Sequence, residues 1–193
     1  GVAVGGDLRV VRDPEVASGS AFSASVESAP VSDLLRQMNV PSDNFIAEQL
    51  ARTVASERTG DGSWEAWETI TTDFLDSLGV ESCRVRDGSG LSRYNVVPAR
   101  ALVVLLEWVR ERAWADDFFE SLPASSEGTL ETRLDDVPGV RAKTGTITGT
   151  SALSGIVRKE GGPDVVFSVI FGGLTVEADA ARDRQDAFVR ALR

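Results

Sequence analysis

The chain contains no histidine, a single cysteine (Cys83) and only two lysines, Lys143 and Lys159. Without an imidazole there is no Ser-His-Asp triad, no Cys-His dyad and no ordinary zinc site. One thiol cannot form an internal disulfide, and it says little about the compartment. Positive charge is also scarce, with 20 basic residues against 30 acidic ones and a net charge of −10. Nucleic acid and anionic membranes repel such a surface, so neither is an expected partner. The longest apolar run, Leu102 to Leu106, is far shorter than a membrane span. No signal peptide is visible and the first residue is Gly1 rather than Met, so a processed product or a fragment is expected. What is present is sufficient for a packed core: 42% of the 193 residues are apolar.

The stretch from Gly1 to Pro30 is rich in Gly, Ser, Ala and Val, with Leu8 to Val11 as a candidate short strand. Helical patterns then follow one another. Ser32-Asp33 opens the first, which stops before Pro41. Ser42-Asp43 caps a second, with Ile46, Leu50 and Val54 on one stripe. Ser63 caps a third, carrying Trp64, Trp67, Ile70, Phe74 and Leu78 and ended by Gly79. Pro98 sits in the first turn of a fourth, and a short piece covers Asp116 to Leu122. Cys83 to Arg86 reads as a short strand and Asp87-Gly88-Ser89-Gly90 as a tight loop. The end of the chain changes period. Val140–Thr144, Leu153–Val157 and Val165–Phe171 read as strands, the third apolar enough for burial on both faces. A closing helix spans Glu177 to Arg193, with Phe188 and Leu192 inward. Helices, an antiparallel meander and a last helix make an α+β fold with helices packed on a sheet.

Two short motifs carry chemistry: Ser42-Asp43-Asn44 at a helix start, and Lys143-Thr144-Gly145-Thr146 on a strand. Penicillin-interacting serine enzymes combine Ser-x-x-Lys with Ser-x-Asn and Lys-Thr-Gly. A Ser-x-Asn triplet arises by chance in about half of chains this long, and Lys-Thr-Gly in about one in twenty. Ser42 also reads as a plain helix cap, Lys143 as a solvated strand lysine and Gly145 as a bulge. The four tryptophans read as packing, and Asp116-Asp117 and Asp135-Asp136 as solvated surface without the spacing of a calcium loop. No metal or cofactor is expected.

The segment Ser42-Asp43-Asn44-Phe45-Ile46-Ala47-Glu48 resembles the Ser-x-Asn region of the D-alanyl-D-alanine carboxypeptidase/endopeptidases of the peptidase S13 family, low-molecular-mass penicillin-binding proteins. Asp87-Gly88-Ser89-Gly90-Leu91-Ser92-Arg93 resembles the family's Asp-Gly-Ser-Gly-Leu-Ser-Arg segment, Gly128-Thr129-Leu130 with Arg133-Leu134 its Gly-Thr-Leu…Arg stretch, and Ala142-Lys143-Thr144-Gly145-Thr146 followed by Ser151 to Gly155 its third motif and the strand after it. Order and spacing match from about Ala29 to the end. The family's Ser-x-x-Lys motif, which supplies the nucleophile and its lysine base, occurs nowhere in this chain. The resemblance therefore implies a penicillin-binding-protein/β-lactamase-like transpeptidase fold that is incomplete here. Residues 1–30 would be the end of an inserted region and an entry segment, and residues 31–193 the C-terminal part of the transpeptidase-like domain.

The resemblance also implies roles. Ser42, Asn44 and Lys143 would be catalytic: Ser42 relaying a proton, Asn44 holding the substrate amide, and Lys143 supplying fixed positive charge. Thr144, Gly145 and Thr146 would bind substrate, the hydroxyls meeting a terminal carboxylate and the Thr146 N–H serving as an oxyanion donor. Partners would be peptidoglycan stem peptides, β-lactams and the N-terminal half of the same protein, in a periplasmic or extracytoplasmic setting. Two alternatives stay open: a non-catalytic peptidoglycan-binding or interaction module that has lost the nucleophile, and a β-lactamase relative. The oligomeric state is not legible.

Overall fold

The structure, a computed structural model, describes residues 26–175 and 178–193. The expected strand at Leu8–Val11 and the segment Gly1–Gly6 lie outside these residues. Helices α1 (Val31–Asn39), α2 (Asn44–Thr59), α3 (Trp64–Ser77), α4 (Ala99–Arg110) and α5 (Ala115–Ser121) come first. A 3₁₀ turn at Gly128–Leu130 leads to strands β1 (Val140–Ile147), β2 (Thr150–Val157) and β3 (Val165–Gly172), and α6 (Ala178–Arg190) follows. The strands form an antiparallel sheet in the order β1-β2-β3.

Local chemistry explains most of the boundaries. Ser63 caps α3 by accepting from the Ala66 N–H, and Gly79 leaves that helix with φ +71°. Pro98 precedes α4, where a missing N–H is harmless. The strands run longer than their apolar cores suggest, because β1 and β2 are joined by a tight turn at Thr148-Gly149 and pair through to Ile147↔Thr150.

The sheet is covered on both faces. On one, Val140 and Ala142 of β1, Leu153 and Val157 of β2 and Phe167 of β3 pack with Leu130, Leu134, Val137 and Val189 of α6. On the other, Ile156 and Val166 pack with Leu106 and Val109 of α4 and with Phe119 and Leu122. A large side chain fully buried in this way contributes roughly 1.5–3 kcal/mol, so these two layers hold the sheet to the helices.

Several expectations are corrected. The buried stripe of α2 is Ala51 and Ala55, while Val54 is exposed. Small residues are needed there because the 87–92 loop lies directly on the helix: a Cβ on Gly88 would sit 2.4 Å from the Ala47 carbonyl oxygen. Cys83–Arg86 is not a strand; only Arg84 pairs, as an isolated bridge to Val96. Strand β3 is the sheet's edge among the described residues, and its apolar far half, Val169 to Phe171, is only partly covered. In α6 Ala181, Gln185, Asp186 and Val189 are buried and Phe188 is exposed, while Leu192, just past the helix, packs on the core as expected. Trp108 packs edge-on against Phe74 and Trp114, while Trp64 and Trp114 keep substantial exposure. Asp116 and Asp136 are exposed, as expected of solvated surface, and pair there with Arg158 and with Arg190 and Arg193.

Candidate active site

Helix α1 ends at Asn39, whose buried amide donates to Ser121 Oγ of α5 at 2.9 Å. Pro41 cannot continue a helix, and the chain turns. The Asp43 N–H donates back to the Met38 carbonyl at 2.8 Å, and the Asp43 carboxylate caps α2 by accepting from the Ile46 N–H. The cap is therefore Asp43, and Ser42 is free of that duty. Ser42 stands in the left-handed region at φ 62°, where a residue with a Cβ pays about 1–2 kcal/mol. Lys143 Nζ donates to Ser42 Oγ at 2.8 Å, across 101 residues of sequence, and to its neighbour's carbonyl, Thr144 O, at 3.0 Å. Both partners are neutral and the amine is largely removed from water. That burial pulls its pKa below the ordinary 10.5.

The free edge of β1 is the second component. Its first half is plugged: Ala142 N–H donates to the Pro123 carbonyl at 3.0 Å, and Ala124 bridges Arg141. Arg141 reinforces this by donating to the carbonyls of Leu122 and Glu120. In an antiparallel strand the edge-facing N–H and C=O groups alternate by two residues. Thr144 and Thr146 therefore face the same edge as Ala142, beyond the plug. Their side chains share the face of Val140 and Ala142, toward α6, whereas Lys143 points to the other face, toward Ser42. Gly145 pairs with Ala152 in a continuous ladder, so it is not a bulge. A Cβ there would meet only Ala152 Cβ at 3.6 Å, so nothing inside the chain demands glycine.

Ser42, Asn44, Lys143, Thr144, Gly145 and Thr146 line one open cleft of about 1040 Å³. The loop after Asp87, which reads only as a tight loop in the sequence, is a further wall of the cleft at Gly88 to Leu91. Its backbone N–H groups at Gly88 and Ser89 donate to the two Glu48 carboxylate oxygens, each at 3.1 Å. The Asp87 carboxylate accepts from the N–H groups of Gly90 and Ser92 and from Asn95 Nδ2. The loop is thus held rigidly against α2, one turn beyond Asn44. Thr129, Arg133 and Asp186 line the cleft's other end. The acid–arginine pair there has no signature at helical or strand spacing; only the Gly-Thr-Leu…Arg stretch hinted at it.

Comparison with solved structures sets this arrangement among known folds. The crystal structure of penicillin binding protein 4 (dacB) from Haemophilus influenzae, complexed with a novel β-lactam, aligns with a TM-score of 0.74 at 27% identity, over 84% of this chain and 41% of that one. The TLA-3 extended-spectrum β-lactamase aligns with a TM-score of 0.58 at 18% identity, over 78% and 58% respectively, a likeness of fold alone. The class is the penicillin-binding-protein and β-lactamase fold. Within it, the family model for D-Ala-D-Ala carboxypeptidase 3 (S13) matches residues 1–193, and the chain belongs to that family. A D-alanyl-D-alanine carboxypeptidase of Actinomadura sp. (strain R39) is 35% identical over 184 residues, covering 90% of this chain and 34% of that protein. The chain thus spans well under half the length of these S13 and penicillin-binding relatives. No helix among the described residues is long and apolar enough to cross a membrane.

Proposed function

We propose that this chain forms one side of the active site of a serine-type D-Ala-D-Ala carboxypeptidase/endopeptidase acting on peptidoglycan peptides outside the cytoplasmic membrane. The nucleophilic serine and its lysine base belong to a Ser-x-x-Lys motif outside this chain. The observation that carries the reading is the 2.8 Å contact between Lys143 Nζ and Ser42 Oγ beside an open strand edge. The Ser42 hydroxyl, held by the Lys143 amine, is the proton-carrying group that this chain brings to the cleft.

In the proposed reaction the nucleophilic hydroxyl gives its proton to its lysine base and adds to the carbonyl carbon of the penultimate D-Ala. The Thr146 N–H, one of the edge-facing groups past the plug, donates to the developing oxyanion. Loss of one such donor costs about 3 kcal/mol in comparable sites. Ser42 passes a proton to the leaving amine nitrogen as the C–N bond breaks, and water then hydrolyses the acyl ester. Lys143 holds positive charge near the substrate's terminal carboxylate, which the hydroxyls of Thr144 and Thr146 bind. Asn44 holds the substrate amide. Gly145 leaves room for the substrate backbone, which fits its freedom from internal contacts.

The test is intact-mass spectrometry of the complete protein after exposure to a β-lactam. A covalent adduct is expected in the wild type and its loss in Lys143→Ala. A wild type that never forms an adduct overturns the enzymatic reading in favour of a binding module.

A further inference from the structure

The stretch Gly128-Thr129-Leu130 with Arg133 touches both halves of the cleft but takes no part in the chemistry above. Its first end grips the turn that presents Ser42. The Thr129 N–H donates to the Val40 carbonyl at 3.3 Å. Gly128, at φ +50°, lies so close that a Cβ on it would sit 2.2 Å from that same oxygen and 2.8 Å from Val40 Cγ1. Only glycine fits this approach, because the contacted atoms are mostly backbone of the residue two before Ser42.

Its other end reaches, through α6, strand β2, the partner of the strand that carries Lys143 and Thr146. Arg133 is nearly buried and pairs with Asp186 of α6, Nη2 donating to Oδ1 at 2.6 Å and Nε to the same oxygen at 3.1 Å. Nη2 also donates to Gln185 Oε1 at 3.1 Å. The amide of Gln185 is thereby oriented, and its Nε2 donates to Ser151 Oγ at 3.1 Å, with both residues fully buried. Ser151 is the cross-strand partner of Thr146. Because Thr146 faces the open edge, this is the close, non-hydrogen-bonded kind of pair, with the two side chains adjacent on the α6 face. Leu130 and Leu134, between and beside the two grips, are completely buried in the core, so the segment has no slack.

We infer that Gly128–Arg133 is a bracket that fixes the separation of the Ser42 turn from the Lys143–Thr146 strand, with Gly128, Arg133 and Gln185 as positioning residues. The inference rests on the reading of this cleft as an acylation site. Misplacing a reacting group by about 1 Å costs up to about 100-fold in rate. Binding of a β-lactam before acylation depends less on that alignment, so the bracket governs the limiting acylation rate and leaves the prior dissociation constant nearly unchanged.

The experiment uses the complete protein with Gly128→Ala, Gln185→Met and the double variant. A chromogenic β-lactam reports the dissociation constant and the limiting acylation rate, and hydrogen exchange on the unliganded protein reports each grip. Each single variant is expected to lower the limiting rate about 10- to 100-fold with the dissociation constant within about threefold. Exchange should rise in the 40–46 region for Gly128→Ala and in the 144–152 region for Gln185→Met. The double variant should lose less than the product of the two, as expected of groups acting through one element. Limiting rates within twofold of wild type in folded variants, or losses that only track the unfolded fraction, overturn the bracket. If Gly128→Ala does not fold, Gln185→Met and Ser151→Ala carry the test, and they should give equal, non-additive losses. If the wild type is not acylated at all, the function above fails, whereas the exchange arm still decides whether the two grips hold the two segments.

Discussion

Ser42 combines a reactive position with an unfavourable backbone, and the two can be separated by comparing Ser42→Ala with Ser42→Gly. Both variants remove the hydroxyl that accepts from Lys143 Nζ, and Ser42 is only half-buried, so neither leaves a core cavity. The difference between them is the Cβ at φ 62°. Alanine keeps the left-handed strain of about 1–2 kcal/mol, and glycine removes it. Glycine in turn loses more chain entropy on folding, about 0.5–1 kcal/mol. The net expectation is that Ser42→Gly is more stable than Ser42→Ala by about 0.75 kcal/mol and by no more than about 1.5 kcal/mol, while neither forms a β-lactam adduct at the wild-type rate. Equilibrium urea unfolding of the complete protein, followed by tryptophan fluorescence in parallel for the two variants, measures the difference. A glycine variant equal to or weaker than the alanine variant would refute the claim that the turn stores strain at this serine.

Three further outcomes follow from the same geometry. Gly145→Ala should leave stability within about 0.5 kcal/mol and yet slow β-lactam acylation, since its Cβ meets only Ala152 Cβ at 3.6 Å. Gly155→Ala should cost about 1–3 kcal/mol, because its Cβ would sit 2.0 Å from the Arg141 carbonyl oxygen; urea unfolding of both variants checks the contrast. The half-buried Lys143 amine holds its proton less tightly folded than unfolded. Between its lowered folded pKa and 10.5 the unfolded chain binds more protons, so this group makes stability rise with pH through that window. Below the window the full penalty of burying the charge persists. Unfolding measured across alkaline pH should show that rise in the wild type and a flatter profile in Lys143→Met.

The sequence carried the helices where a cap or breaker sat at the boundary, as at Ser63, Gly79 and Pro98. It misled where packing depended on small residues. The stripe Ile46, Leu50, Val54 looks like the inner face of α2, but Ala51 and Ala55 are the buried positions, and the neighbouring loop selects Ala51 by its closeness. The apolar pattern ends at Thr144 and resumes at Leu153, short of the observed ends at Ile147 and Thr150, because Gly145, Thr146, Thr150 and Ser151 are small or polar and carry no apolar alternation. The juxtaposition of Ser42 and Lys143 was legible only through motif resemblance, since no local pattern relates residues so far apart. Arg133, Gln185 and Ser151 were invisible as a network. Each is a polar residue of a type usually found at the surface, and burial becomes favourable only when all are paired at once.

A bare strand edge is also a hazard, because unpaired N–H and C=O groups attract any other extended chain, including another copy of the same protein. Here the edge of β1 is sealed as far as Ala142 by Pro123 and Ala124, and the tight Thr148-Gly149 turn ends it just past Ile147. Among the described residues only a few remain uncovered, too few to hold a foreign strand in register by backbone bonds alone. On the proposed function, a peptide would gain its hold from side-chain recognition at Ser42, Lys143 and the threonines. The sealing of one half of the edge becomes a filter against indiscriminate strand pairing and self-association.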